Sequence, residues 1–420
     1  MNAVALSYGA FSSALHRSAR GKRLPVNGTI EVTHRCPLTC AHCYNNLPVG
    51  DGEARRGELT TDEHRRIIDE IAEAGGLWLL FTGGEIFARA DFLDIYTHAK
   101  QRGFLITLFT NGTQITTEIA DYLADWRPFA IEITLYGGTR ETYERVTGIP
   151  GSYDRCMRGI RLLKERNLPL RLKTVALTLN RHEIGVMQAL AAELGVDFKF
   201  DGMVNARIDC SHSPLEVRLT PSEIVQLDVE DPARRAAWAG LVQGRPARVP
   251  PSDTVYNCGG GVSAFSIDPE GKMSICVLSQ QEMFDLRSGS FREGWESFLG
   301  DVRSKKVTRA TKCNECQIRE LCSTCAATAE LEHGDAETPV EYFCEVAHLR
   351  AHAVGYTPPA HGDCAFCEGG ERHAHLLEEV AAIERGARAG GRPRSLRVVS
   401  DRETSAAGSC GSGCGSCGCA

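Results

Sequence analysis

The sequence predicts an α/β fold: a partial (β/α)6 TIM-like barrel, then a small cysteine-rich domain, then a flexible Cys/Gly-rich tail. Three observations carry that reading. Short apolar runs alternate with helical patterns from about Ile30 to Phe200. The 18 cysteines fall in blocks rather than singly, and the last block lies in a Gly/Ser/Cys segment unable to bury a core. With 420 residues the chain is long enough for two or three domains.

The strand-like runs are "TIEV", "LWLLFT", "FLITLFT", "FAIEITLY", "RLKTVALTL" and "VDFKF", rich in Val, Ile, Phe and Leu. Helical patterns separate them. In "TTDEHRRIIDEIAEAGG", Thr60 and Glu63 make a capping-box pattern, Ile67, Ile68 and Ile71 an apolar face, and Gly75 a stop. Strand and helix repeated in this way mean parallel βαβ units, and barrels of that kind gather chemistry at the C-terminal ends of their strands. Those ends are occupied accordingly. The first leads into Cys36, Cys40 and Cys43, the second into Gly83-Gly84-Glu85, the third into Thr110-Asn111-Gly112, and the fifth into Asn180. Gly83 and Gly84 have no Cβ and so let the backbone approach a bound molecule closely.

The linear boundaries read as an N-terminal extension over 1–24, the barrel over 25–235, the cysteine-rich domain over 236–350, a helical segment over 351–390 and the tail over 391–420. The extension reads as loose and cytoplasmic, because Ser, Tyr and Gly break its apolar stretch and its charges follow that stretch. A net charge of -7 argues against nucleic acid as the main partner. No apolar run is long enough to span a membrane. In a chain of this size without an export signal, so many cysteines indicate metal rather than disulfides.

"HRCPLTCAHCYNN" supplies three thiols, whereas a closed metal site takes four ligands. Zinc completed by His34 or His42 is one assignment. A [4Fe–4S] cluster with one open iron is the other. In the second block, "NCGGGVSAFSIDPEGKMSICVL" gives Cys258 and Cys276, "KCNECQIRELCSTC" gives Cys313, Cys316, Cys322 and Cys325, and Cys344 follows. Paired Cys-x2-Cys also suits a structural zinc, but seven thiols divide into four plus three rather than into tetrahedral sites. Cys156 reads as a small buried hydrophobe and Cys210 lacks a partner spacing.

Cys-x3-Cys-x2-Cys followed by Gly-Gly-Glu at the next strand end resembles the radical SAM superfamily. The second block resembles its SPASM extension, with two residues between Cys322 and Cys325 where that pattern often has three. The resemblance spans about Gly28 to Leu349. It implies S-adenosylmethionine (SAM), one SAM-binding [4Fe–4S] cluster on Cys36, Cys40 and Cys43, and two auxiliary [4Fe–4S] clusters. Carried over residue by residue, Cys258, Cys276 and Cys325 would serve the first auxiliary cluster, leaving one iron open or capped by another ligand. Cys313, Cys316, Cys322 and Cys344 would serve the second. Gly83, Gly84, Glu85, Asn111, Thr134, Arg145 and Asn180 would border SAM, although Asn111 and Asn180 also suit turn closure and Arg145 suits a solvated helix face.

The implied activity is reductive cleavage of SAM to a 5′-deoxyadenosyl radical that abstracts hydrogen from a peptide or protein, in maturation of a ribosomally made peptide. Flavodoxin or ferredoxin would donate the electron. A small molecule such as a tetrapyrrole or a redox-cofactor precursor is the alternative substrate. A non-catalytic iron–sulfur electron carrier is the alternative of another class, disfavoured because a carrier needs no vacant iron. Cys364, Cys367, His373 and His375 suit zinc or solvent equally. Cys410, Cys414, Cys417 and Cys419 belong to a tail read as mobile and non-catalytic.

Overall fold

A computed structural model describes residues 7–19, 21–243 and 253–390; the tail cysteines lie outside the described residues. The chain divides into two units. One contains the N-terminal region to Arg218 together with Cys258–Ser304. The other contains Leu219–Asn257 and, among the described residues, the chain from Lys305 to Gly390.

Six parallel strands form the frame of the first unit in chain order: β1 (Asn27–Glu31), β2 (Trp78–Thr82), β3 (Leu105–Thr110), β4 (Ala130–Thr134), β5 (Leu170–Val175) and β6 (Asp197–Asp201). The register aligns Ile30 with Phe81 and Phe81 with Leu108, so apolar side chains stack across the sheet and are buried. The helix Thr61–Glu73 has the expected capping box, and its Ile67, Ile68 and Ile71 are buried. These features were legible because they depend on residues within one turn of each other.

The six parallel strands are as expected, while the linear boundary near residue 235 and the loose N-terminal extension are not. Three further strands extend the sheet. β7 (Ala264–Ile267) pairs parallel with the free edge of β1, and β8 (Lys272–Ser274) and β9 (Phe284–Asp285) extend it antiparallel. Cys258 and Cys276 therefore fold with the barrel, and no single linear boundary near residue 235 separates the units. The N-terminal extension is not loose either. Residues Tyr8–Ala19 form a helix whose His16 stacks on Trp78 at 5.2 Å and whose Tyr8 meets Phe129 at 4.8 Å. Arg23 beyond it donates to the carbonyls of Gly261 and Trp295, at 3.0 and 2.7 Å.

The second unit packs helices Pro221–Glu230, Pro232–Val242, Glu341–Ala353 and His373–Gly390. Ile318, Leu321, Ala347 and Ala351 form a buried cluster in it. Asp228 and Arg350 are buried and paired at 2.8 Å. Arg350 also donates to the Leu321 carbonyl at 2.9 Å and lies over the Trp238 ring at 4.0 Å, while Arg234 bonds the other Asp228 oxygen.

Removing one member of a buried ion pair leaves the other charge without compensation. Asp228→Ala should cost about 3–5 kcal/mol in denaturant unfolding, and the double change with Arg350→Met should cost less than the single one. Equal or additive losses would show that the pair does not behave as a buried charge unit.

Candidate active site

The three-cysteine loop leaves β1 and is tied down at both ends. Glu31 accepts from the Tyr44 hydroxyl at 2.9 Å and from Asn45 Nδ2 at 2.6 Å. Arg35 makes a two-pronged ion pair with Glu58 at 2.7 and 2.9 Å. The amides of Thr39 and Ala41 bond the carbonyls of Thr147 and Val146, and Arg207 holds the Cys43 carbonyl at 3.1 Å. A short loop fixed at so many points presents its side chains in one arrangement.

Cys36, Cys40 and Cys43 line one pocket, with Gly83, Gly84, Asn111 and Tyr136 around them. The glycines also make room for a neighbour within the chain. A Cβ on Gly83 would lie 2.1 Å from the Thr33 carbonyl oxygen, and one on Gly84 would lie 2.5 Å from that of His34. Gly83 also has φ +130. The missing side chains thus admit the chain's own cysteine loop, and the amides of Gly84 and Glu85 bond the carbonyls of Thr33 and Arg35 at 2.7 and 3.0 Å.

Glu85 is buried and acts between strand ends. Its carboxylate accepts from Thr110 Oγ1 at 2.7 Å and from the Asn111 amide at 2.8 Å. Burial pushes its pKa up to about 7 against the pull of these bonds. Asn111 returns the connection to the loop, because its Nδ2 donates to Cys36 Sγ at 3.5 Å. Thr134 is buried at the end of β4. Asn180 closes its own turn, donating to the carbonyls of Tyr136 and Val175, both at 3.0 Å. Arg145 is exposed and donates to the Leu179 carbonyl at 2.5 Å. Glu85, Thr134, Arg145 and Asn180 are not among the residues lining the pocket.

The donor set fits an iron–sulfur cluster. Burial, reinforced for Cys36 and Cys40 by neighbouring negative groups, pushes all three thiols up, so three thiolates here require a cationic partner. Neither histidine weighed for zinc supplies a fourth ligand in this arrangement. His34 faces Glu31 at 3.5 Å, and His42 is buried against Tyr136 with its pKa lowered to about 4 by burial. Neither lines the pocket. Tyr136 is a residue that sequence reasoning missed. It hydrogen-bonds Cys40, and burial beside the sulfurs raises its pKa, which keeps the phenol protonated as a donor. It lies two residues beyond Thr134, and no local pattern marks it.

The seven later thiols divide between the units. Cys258 and Cys276 lie in the first, where a Cβ on Gly260 would meet Cys258 Sγ at 3.4 Å and the carbonyl of Ile275 at 2.6 Å. Cys313, Cys316, Cys322, Cys325 and Cys344 lie in the second. There Cys313 hydrogen-bonds Cys344, and Cys322 lies within electrostatic reach of Cys313, Cys316 and Cys344. Cys325 is exposed, with its sulfur 3.4 Å from Thr328 Oγ1. Cys156 is buried, as expected of a small hydrophobe.

Three thiols in the loop that leaves the first strand of a parallel α/β barrel, beside the glycines at the end of the next strand, define an iron–sulfur site. The chain belongs to the radical SAM superfamily, whose family model matches residues 30–190. The PqqA peptide cyclase of Granulibacter bethesdensis is 32% identical over 350 residues, covering 77% of this chain and 90% of that protein. The AdoMet-dependent heme synthase of Methanosarcina barkeri is 24% identical over 340 residues, covering 73% and 92%. In fold, the chain is similar to SuiB of Streptococcus suis bound to precursor peptide SuiA, with a TM-score of 0.61 and 15% identity over 82% of this chain and 84% of that one. The cofactors are SAM and a [4Fe–4S] cluster, with auxiliary clusters in the cysteine-rich region of the SPASM type. Among the described residues no helix is long and apolar enough to cross a membrane.

Gly84→Ala forces a Cβ against backbone that has no free rotamer to yield. It should remove about four irons per chain and cut SAM cleavage at least tenfold, while the fold persists by circular dichroism. Gly185→Ala, where a Cβ meets nothing within 4 Å, should change neither. Full iron loading of Gly84→Ala would show that the close approach is not what holds the loop.

Proposed function

We propose that the chain is a radical SAM peptide maturase that abstracts hydrogen from a peptide or protein, forming a cross-link or an oxidised residue. The carrying observation is the 32% identity to a PqqA peptide cyclase, which spans 90% of that protein and so includes more than the shared barrel. The heme-synthase match has comparable reach at 24% identity and supports the small-molecule reading less strongly.

In this reading Cys36, Cys40 and Cys43 hold the open cluster, Gly83, Gly84 and Asn111 form the ledge beside SAM, and the buried Glu85 and Thr134 support it from behind. Asn180 and Arg145 hold the neighbouring loop in place. When bound, SAM and the reduced cluster supply a 5′-deoxyadenosyl radical. The chain's own residues do the rest. Asn111 and Tyr136 donate to the sulfurs of Cys36 and Cys40, which stabilises their thiolate form. Leu38 and Phe109 give the pocket apolar walls that limit water around a reactive species. Cys313, Cys316, Cys322 and Cys344 would serve an auxiliary cluster of the second unit, and Cys258 and Cys276 would serve one of the first. Such clusters would give an electron leaving an oxidised substrate a route away, whereas flavodoxin or ferredoxin would donate the electron for SAM cleavage. The first-unit set lacks a full complement of thiols and suits a substrate thiolate as a ligand.

Protein reconstituted without oxygen should bind about twelve cluster irons. With dithionite it should convert SAM to 5′-deoxyadenosine, and the Cys36→Ala, Cys40→Ala, Cys43→Ala triple variant should not, while keeping its auxiliary iron. Incubated with a Cys- or Gly-rich peptide encoded beside its gene, the enzyme should reduce the peptide's mass by a hydrogen pair. Turnover of a tetrapyrrole with the peptide left unchanged would replace the peptide reading. Cleavage by the triple variant would overturn the assignment of the open cluster.

A further inference from the structure

Within the second unit, His348, His361, Cys364 and Cys367 bring one ligand atom each to within 4.8 Å of one another, and all four are buried. None belongs to the ten cysteines assigned above. The sequence pointed to Cys364 and Cys367 with His373 and His375, and the histidines are corrected here. His373 Nδ1 lies 3.0 Å from the Phe366 carbonyl, and His375 is exposed toward Glu378 and Glu379. The actual partners come from a helix residue 16 positions before Cys364 and from a residue three positions before it.

We infer that these four side chains form a closed, structural zinc site separate from the iron–sulfur clusters. The distances fit one tetrahedral ion. With zinc–sulfur bonds near 2.3 Å and zinc–nitrogen bonds near 2.0–2.1 Å, a ligand sulfur and a ligand nitrogen should be about 3.6 Å apart. His348 Nε2 is 3.6 Å from Cys364 Sγ and 3.4 Å from Cys367 Sγ, and His361 Nδ1 is 3.4 Å from Cys367 Sγ. A two-iron centre of mixed ligation places its histidine and cysteine pairs on different irons, which would separate nitrogen from sulfur.

The surroundings are those of a metal ligand set. His348 Nδ1 lies 2.7 Å from the Cys344 carbonyl, so Nδ1 carries the proton and Nε2 turns its lone pair toward the sulfurs. His361 Nδ1 lies 3.2 Å from the Pro359 carbonyl, a bond the ring gives up when its proton sits on Nε2 and the Nδ1 lone pair faces the ion; Cys316 is a further hydrogen-bond partner of the ring. Cys364 and Cys367 lie on a tight turn in which the amides of Cys367 and Gly370 bond the carbonyls of Cys364 and Cys367, at 3.3 and 2.8 Å. A Cβ on Gly370 would fall 2.3 Å from the Ala365 carbonyl oxygen, so only glycine closes the turn this tightly.

Four protein ligands leave no position for substrate, which makes the role mechanical. The ion would clamp the helix Glu341–Ala353 to the loop that begins at His361. That helix also carries Cys344, one turn before His348, so the clamp fixes a thiol assigned to the second auxiliary cluster. The inference does not depend on the identity of the substrate.

Elemental analysis of the full-length protein, purified without oxygen and without added zinc, should find about one zinc per chain beside the cluster iron. The Cys364→Ser, Cys367→Ser variant should lose that zinc and keep the iron bound by Cys36, Cys40 and Cys43. Zinc-edge X-ray absorption of the unaltered protein, which requires no variant to fold, should show a shell of two sulfurs and two nitrogens. His361→Cys should keep the zinc and change that shell to three sulfurs and one nitrogen. Absence of zinc, a shell made only of sulfur, or loss of iron rather than zinc in the serine variant would each overturn the inference.

Discussion

Everything at the site depends on how closely the chain end of β2 lies against the loop leaving β1. No side chain fits at Gly83 or Gly84 because the carbonyls of Thr33 and His34 already occupy that space. Two short hydrogen bonds fasten the contact. From there Glu85 reaches the end of β3, and Asn111 reaches back to the sulfur of Cys36. The connection is a closed ring of backbone and polar contacts around three thiols. Such a ring allows a loop whose only regular structure is the short pairing of Arg35–Cys36 with Leu47–Pro48 to hold reactive ligands in one geometry, which preorganised chemistry demands.

The second unit achieves rigidity by other means. Its helices are joined through the buried Asp228–Arg350 pair, with Trp238 stacked on the guanidinium. The group at His348, His361, Cys364 and Cys367 ties the helix carrying Cys344 to the following loop. These contacts supplement an apolar core in which Phe343, Val346, Leu349, Ile318 and Leu321 are buried. In the barrel, by contrast, packed strands provide the frame and polar contacts only refine the strand ends.

What was legible in the sequence was local. The capping box at Thr60 and Glu63 and the spacing of Cys36, Cys40 and Cys43 each depend on residues close together in the chain. The six strands were visible because a parallel sheet buried on both faces needs continuous apolar runs. What was hidden depends on tertiary contact. Nothing in "SAFSI" shows that it pairs with β1, and nothing near Tyr136 shows that it meets a cysteine. That Gly83 and Gly84 also admit the cysteine loop was hidden as well, because folding alone brings Thr33 and His34 to them. His348 could not be joined to Cys364 by motif, because the two are brought together by a helix and a turn rather than by spacing.

The central claim is that the Cys36, Cys40 and Cys43 cluster has one iron open toward the ledge of Gly83 and Gly84. The most direct measurement is electron–nuclear hyperfine spectroscopy of the reduced protein with SAM isotopically labelled at its amino and carboxylate groups. The account predicts coupling of both labels to a cluster iron, persisting in a chain whose Cys313 and Cys344 are replaced by alanine. Tight SAM binding with no coupling to either label would contradict it.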